Sequence, residues 1–324
     1  MRNLTNIFFS RLFVCAMLLG STGAASADNF ISLDISSSVS TIAEGINNNG
    51  IVVGTYEDAS GDIQGFTYNS NNGVYDFYPA VGTRVTSLRG INDAGDMVGA
   101  HWSASGIAFQ GFYDNGTSID SILVPGSVWT QTNDVNNTGL MIGEYSVITG
   151  TTETSSYLYD GSSFSTFASP GASRTRAFGI NDSGIIVGDY TESGNIYGFI
   201  YDGTRFTQLS VLDSLRTSAR GIDNAGNIVG NYQDAAGRGH GFLYDGKVFS
   251  TIDVDFVGAY GTKIIGINEL GQIVGRYKFE GKEYGFVSVS PVPVPASLFL
   301  LSSGLLGLLG MARRKSRTWL PIKN

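Results

Sequence analysis

The sequence predicts an all-β protein: a six-bladed β-propeller of four-stranded antiparallel blades, its ring closed by the N-terminal strand in the last blade, with a C-terminal transmembrane helix appended. Three observations carry this expectation. A phrase beginning Gly-Ile-Asn and ending Ile-Val-Gly-x-Tyr recurs six times at nearly constant spacing. Each copy breaks into short apolar runs separated by turn residues. The last copy lacks its fourth run, and a segment near the N-terminus resembles that missing run. The composition agrees, with 44 glycines, 7 prolines and 12% aromatic residues, a mix suited to short strands and tight turns.

From the N-terminus, residues 1–27 carry Arg2 and Arg11, an apolar stretch from Leu12 to Leu19, and small residues ending Ala25-Ser26-Ala27. That order of charge, apolar run and A-x-A site reads as a secretory signal peptide, and the mature chain is expected to begin at Asp28. The run is too short to span a bilayer. The only cysteine, Cys15, lies inside it, behind Leu12-Phe13-Val14 rather than the small residues of a lipoprotein box. The mature chain is therefore expected to contain no thiol, no disulfide and no cysteine-based metal site.

Residues 28–290 hold the repeats. The phrase starts at Gly45, Gly90, Asp134, Gly179, Gly221 and Gly266, with spacings of 45, 44, 45, 42 and 45 residues. In the fourth unit the predicted strands are Ala177 to Asn181, Ile185 to Tyr190, Tyr197 to Tyr201 and Arg205 to Val211. Asp182-Ser183-Gly184 and Asp202-Gly203 supply the hairpin turns. The second strand of each unit carries two adjacent apolar residues: Val52-Val53, Met97-Val98, Met141-Ile142, Ile186-Val187, Ile228-Val229 and Ile273-Val274. A strand with one wet face alternates, so this pairing predicts that both faces are covered, as in sheets stacked around a ring. A Gly follows at 54, 99, 143, 188, 230 and 275, consistent with a neighbouring backbone passing close by. Two aromatic rows, one through Tyr56, Tyr145, Tyr190, Tyr232 and Tyr277 and one through Phe66, Phe112, Tyr157, Phe199, Phe242 and Phe286, are the expected filling between blades.

The sixth unit stops at Tyr284 to Ser290 without a fourth strand. Phe30-Ile31-Ser32-Leu33-Asp34-Ile35 resembles the fourth strand of unit five, Phe249-Ser250-Thr251-Ile252-Asp253-Val254. Donating the first segment to the last blade would close a ring and remove the open edges of a linear array.

Residues 291–315 form a third region and 316–324 a short cytoplasmic tail. Val292-Pro293-Val294-Pro295-Ala296-Ser297 precedes an apolar run from Leu298 to Met311, and Arg313, Arg314, Lys315 and Arg317 follow. An apolar helix ending in cations is expected to stop in the membrane with its basic end in the cytoplasm. This order of Pro motif, helix and basic cluster resembles the PEP-CTERM sorting signal of exopolysaccharide-producing Gram-negative bacteria. The family's acidic residue between the prolines is replaced here by Val294. The resemblance implies a partner, an exosortase-type membrane transpeptidase, that cuts near the Pro motif and passes the protein from an inner-membrane intermediate to the cell surface or extracellular matrix. The Gly-Ile-Asn, Ile-Val-Gly and Gly-Phe-x-Tyr-Asp-Gly phrases across residues 40–288 resemble the HAF family of extracellular repeats, which implies an extracellular location and no defined reaction.

Charge narrows the function classes. Between Asp28 and Pro295 lie all 28 acidic residues and 13 of the 20 basic ones, a formal charge of −15. Such a body repels phosphate backbones and anionic lipid, which argues against nucleic-acid binding and leaves the C-terminal helix as the membrane contact before processing. The two histidines, His101 in the Tyr row and His240 beside the third strand of unit five, share no motif. They are expected to be a packed ring and a solvated side chain. Asn47, Asn92, Asn136, Asn181, Asp223 and Asn268 recur at the turns. Each loop offers too few carboxylates for calcium, so they are expected to bond their own backbone. No metal and no cofactor is expected.

One row retains chemical interest. The residue after the strand-two Gly varies as Thr55, Ala100, Glu144, Asp189, Asn231 and Arg276. If it faced the channel or a rim, Glu144 and Asp189 on adjacent blades would approach, with Arg276 two blades further round, and with Asn231 they would form a polar sugar-binding set or a glycoside-hydrolase pair. The expectation is a secreted, surface-sorted, noncatalytic scaffold or binding module associated with extracellular polysaccharide. The alternative is a carbohydrate-active enzyme using carboxylates on the propeller rim.

Overall fold

The computed structural model describes residues 29–78, 85–102, 109–148 and 153–292. The chain starts with β1 (Phe30–Leu33). Blade one is β2 (Ser40–Ile46), β3 (Ile51–Glu57), β4 (Ile63–Asn69) and β5 (Val74–Phe77), and blade two is β6 (Thr86–Ile91), β7 (Met97–Trp102), β8 (Phe109–Asp114) and β9 (Ile119–Ile122). Blade three is β10 (Trp129–Val135), β11 (Met141–Ser146), β12 (Ser155–Tyr159) and β13 (Phe164–Phe167), and blade four is β14 (Arg174–Ile180), β15 (Ile186–Glu192), β16 (Asn195–Tyr201) and β17 (Phe206–Leu209). Blade five is β18 (Arg216–Ile222), β19 (Ile228–Gln233), β20 (Gly239–Tyr244) and β21 (Phe249–Ile252). Blade six is β22 (Tyr260–Ile267), β23 (Ile273–Phe279) and β24 (Lys282–Ser288). Each blade is an antiparallel meander, as the turn spacing predicts. In blade four the inner strand begins three residues earlier, and the outermost ends two residues sooner, than the apolar runs suggest.

β1 supplies the fourth strand of blade six. It pairs antiparallel with β24 in the register Phe30↔Ser288, Ile31↔Val287, Ser32↔Phe286 and Leu33↔Gly285. The strand ends at Leu33 rather than Ile35, and Ile35 is buried in the passage to blade one. That passage matches the internal ones. The Thr41 hydroxyl accepts from the Ile35 N–H, as Thr130, Thr175, Thr217 and Thr262 accept from Val124, Ser169, Val211 and Val254. The described residues thus form an all-β propeller whose first and last strands pair in one blade.

The core is six apolar wedges, each shared by two successive blades. The second residue of each strand-two pair crosses the interface. Val53 packs with Leu88 and Phe112 of blade two, Val98 with Val135 and Tyr157 of blade three, and Ile142 with Ala177 and Phe199 of blade four. Val187, Val229 and Val274 repeat this around the ring, Val274 meeting Ala43, Val52 and Phe66 of blade one. The predicted rings of the second aromatic row are fully buried, each worth about 1.5–3 kcal/mol relative to exposure. The strand-two glycines leave room for them: a Cβ on Gly143 would strike both the Gln131 carbonyl and the Tyr157 ring.

Two later segments complete the outline. The fold runs to Val292, whose N–H donates to the Gly271 carbonyl at 3.0 Å. The expected signal peptide with Ala25, Ala27 and Asp28, the sorting motif from Pro293 to Ser297, the C-terminal helix and the Arg313–Lys315 cluster lie outside the described residues. Among the described residues no helix is long and apolar enough to cross a membrane.

Candidate ligand site at the propeller axis

The six inner strands β2, β6, β10, β14, β18 and β22 together enclose an axial cavity of about 100 Å³. A bulge in each of them decides what the cavity sees. The pairing with strand two slips by one residue between Ala43 and Gly45, Leu88 and Gly90, Thr132 and Asp134, Ala177 and Gly179, Ala219 and Gly221, and Ile264 and Gly266. A bulge re-aims the residue it leaves unpaired. Those six residues, Glu44, Arg89, Asn133, Phe178, Arg220 and Ile265, all line the cavity. The Gly after each bulge is needed because the next blade's backbone passes beside it: a Cβ on Gly179 would lie 2.7 Å from the Arg220 carbonyl oxygen. Blade three carries Asp134 there, and its carboxylate accepts from the Val135 and Ile180 N–H groups at 2.9 and 3.0 Å.

Above the bulge tier, two hydrogen-bond rings surround the mouth. In the first, the turn asparagines use both ends of their amides. Asn47 Oδ1 accepts from its own turn, the N–H groups of Asn49 and Ile51, as expected. Its Nδ2 donates to the Asn92 carbonyl of the next blade at 3.0 Å. Asn92, Asn136 and Asn181 repeat the step, and Asn268 donates across the closure to Asn47. The sequence reading saw only the local half of this. The second ring is complete: the N–H groups of Asn48, Asp93, Asn137, Asp182, Asn224 and Glu269 each donate to the side chain of the next member, ending with Glu269 on Asn48 at 2.9 Å. Carboxylates alternate with amides, so three like charges are held apart. Burial opposes ionisation of Asp182, but hydrogen bonds from Asn224 and Asn137 outweigh it and hold its carboxyl below the usual range. Burial raises Glu269, and Asp223, Asp182 and Asp93 add to that.

The row chosen from sequence lies behind the bulge tier. Thr55, Ala100, Glu144, Asp189, Asn231 and Arg276 stand on the second strands, and none lines the cavity. Glu144 and Asp189 are buried between blades rather than displayed on a rim, because the second strand is flanked by sheets on both faces. They are near enough to influence one another. Asp189 is held by Arg176 through Nε and Nη2 at 2.9 and 2.8 Å and accepts a third bond from Ser218 Oγ. Burial pushes the Glu144 carboxyl up, against the lowering pull of Arg176 and Arg89. Arg276 bonds Glu283 at 2.5 Å rather than either carboxylate, and Asn231 Oδ1 is buried with no partner.

Both histidines have defined surroundings. His101 is buried against Phe112 with Nδ1 2.8 Å from the Trp102 carbonyl oxygen. His240, expected to be solvated, instead stacks on Tyr232 and places Nδ1 2.7 Å from Asp253 and Nε2 3.4 Å from Asp234. Both aspartates lie outside the repeated phrase that guided the sequence reading. Among the described residues no group of three or more metal-ligating side chains is assembled. The bulge residues were also missed, although each stands immediately before the first residue of the repeated phrase and varies while its neighbours recur.

No protein-family model and no curated protein matches the chain. Solved structures do match. The chain superposes on a structure described as that of a candidate gluconolactonase with a TM-score of 0.52 and 11% identity, covering 83% of this chain and 94% of that one. It superposes on the fucose-specific lectin from Aleuria aurantia with a TM-score of 0.50 and 14% identity, covering 82% of this chain and 100% of the lectin. That lectin is described as a six-bladed β-propeller. Trypanosoma rangeli sialidase matches at 0.49 and 11% identity over 88% of this chain, which spans 59% of the sialidase. At such identities the likeness shows a shared propeller fold.

Proposed function

We propose that the protein is an exported, noncatalytic binding module that takes a polar, saccharide-type ligand at its axis. The observation that carries this reading is the bulge tier. Five of six blades place a polar or aromatic side chain there, two guanidiniums, a carboxylate, an amide and a phenyl ring, inside a frame that is otherwise repeated. Such a mixture supplies fixed donors, acceptors and a stacking surface, the equipment of recognition. The engagement of Asp189 with Arg176 and Ser218 supports a structural role for the pair considered for hydrolysis.

In the same reading the N-terminal signal exports the chain, an exosortase-type transpeptidase processes the PEP-CTERM-like tail, and the propeller is delivered to the cell surface or the polysaccharide matrix. Co-sedimentation of the purified protein with polysaccharide from its native host tests the binding. Retention of the polymer chain length throughout is expected, and shortening of the polymer would replace binding by hydrolysis. Tags placed before Pro291 and after Lys315 test the sorting: the second tag is expected to be lost while the first reaches the surface or medium.

A further inference from the structure

We infer that the axial cavity holds an oxyanion, the carboxylate of an acidic sugar, between Arg89 and Arg220. The inference rests on the binding reading above and specifies its ligand. Arg89 and Arg220 occupy equivalent bulge positions in blades two and five of a six-blade ring, so they enter the cavity from opposite walls. The Nε of each is buried with no hydrogen-bond partner. A buried donor left unmet is unfavourable, and a bound anion offsets that loss with charge-assisted bonds.

The surroundings hold the donors ready. The Arg220 guanidinium lies over the Phe178 ring, its central carbon 3.8 Å from the centroid. Stacking fixes the plane of the fork without consuming its N–H groups. Behind this tier Arg176 and Arg276 have carboxylate partners in Asp189 and Glu283, although the Arg276 Nε, like those of Arg89 and Arg220, is buried without a partner. Lys263 faces Arg276 across the strand pair, and burial together with that neighbouring charge pushes its ammonium down to about 8. The acidic groups nearby are Glu44 in the bulge tier, the buried Asp134 beside it, Asp189 and Glu144 behind it, and the alternating carboxylates of the mouth. Arg89 and Arg220 are the two cations of this lining, and they stand at its inner tier.

The cavity has a volume of about 100 Å³, and its lining runs from the bulge tier up to the turn residues of the mouth, so a sugar whose carboxylate sits between the arginines reaches both. The ring itself would lie over the mouth, where Asn48, Asp93, Asn137, Asp182 and Glu269 can meet its hydroxyl groups.

Calorimetric titration of the protein with glucuronate, its methyl ester and inorganic sulfate tests the inference. Glucuronate is expected to bind, and its uncharged ester to bind about tenfold more weakly or worse. R89Q and R220Q should each weaken glucuronate by about tenfold with little change in melting temperature, and E44Q should tighten it. Should either glutamine variant misfold, R89K and R220K keep the charge but lose the fork, and are expected to weaken binding as well. Equal affinity for acid and ester, or arginine variants that bind as the parent does, would overturn the site. Binding of sulfate without glucuronate would assign the cavity to a free inorganic anion and overturn the sugar. If host polysaccharide still binds after its carboxyl groups are reduced, the binding reading stands and the anion inference fails. If the polysaccharide never binds, the titration still decides whether the axis is an anion site.

Discussion

Asp134 shows how one residue can tune a repeat. It stands where the other five blades have Gly, and burial pushes its carboxyl up to about 7 despite two backbone N–H donors. In the folded protein it keeps its proton to near neutrality, whereas unfolded it would lose it near 3.8. Folding therefore takes up a proton between those values. The stability this gives is fully present below the unfolded value and is lost as pH rises through about 7, with a slope of at most about 1.4 kcal/mol per pH unit for one group. Burial raises Glu144 too, so it contributes with the same sign. Thermal unfolding followed from pH 5 to pH 8 should show a falling midpoint, and Asp134→Asn should flatten the fall. An unchanged slope would remove Asp134 from the account. At this scale the sequence was only partly legible. The repeat marked Asp134 as a departure. The direction taken by Arg89 or Arg220 depends on a bulge, and a bulge is a property of two paired strands rather than of the residues on one.

At the scale of the element, β1 is the piece that most affects the rest. Leu33 is 1% exposed and packs in the wedge between blades six and one, whereas Val39, six residues later, is 51% exposed. Leu33→Ala is expected to cost about 2–5 kcal/mol in urea unfolding, and Val39→Ala less than about 0.5 kcal/mol. Similar effects at the two positions would mean that the closing strand contributes little. This element was readable in advance because its residues resemble the fourth strand of another blade, with Phe30, Leu33, Asp34 and Ile35 standing where that strand has Phe249, Ile252, Asp253 and Val254. The partner followed from counting: the last unit had a vacancy, and an unpaired strand edge is unfavourable. The row from Thr55 to Arg276 could not be read in the same way. It looked variable and polar, but the adjacent apolar pairs that announce two covered faces also imply that the residues next along the same strands are wedged among blades.

For the whole molecule, closure predicts that the position of the chain ends is a matter of connectivity alone. Val289 donates to the Asn29 carbonyl at 2.8 Å, so the first and last residues of the ring lie side by side. A circular permutant joining these ends by a short linker and opening at the exposed blade-three turn near Gly161 should fold, with a melting temperature within about 5 °C of the parent. Its β13 would then close blade three as β1 closes blade six. A permutant that fails to fold would show that closure at blade six has a role the other blades cannot take.

What the sequence by itself determined was the repeat, the meander within each blade and the strand that closes the ring, because these follow from periodicity, turn chemistry and the need to bury apolar faces. Only the tertiary structure decided which side chains meet at the axis. Six bulges turn one residue per blade inward, and the rings of amides and carboxylates form between residues 42 to 45 positions apart, or 221 across the closure. Those contacts exist only when neighbouring blades stand at one fixed separation, and local residue patterns do not encode that distance.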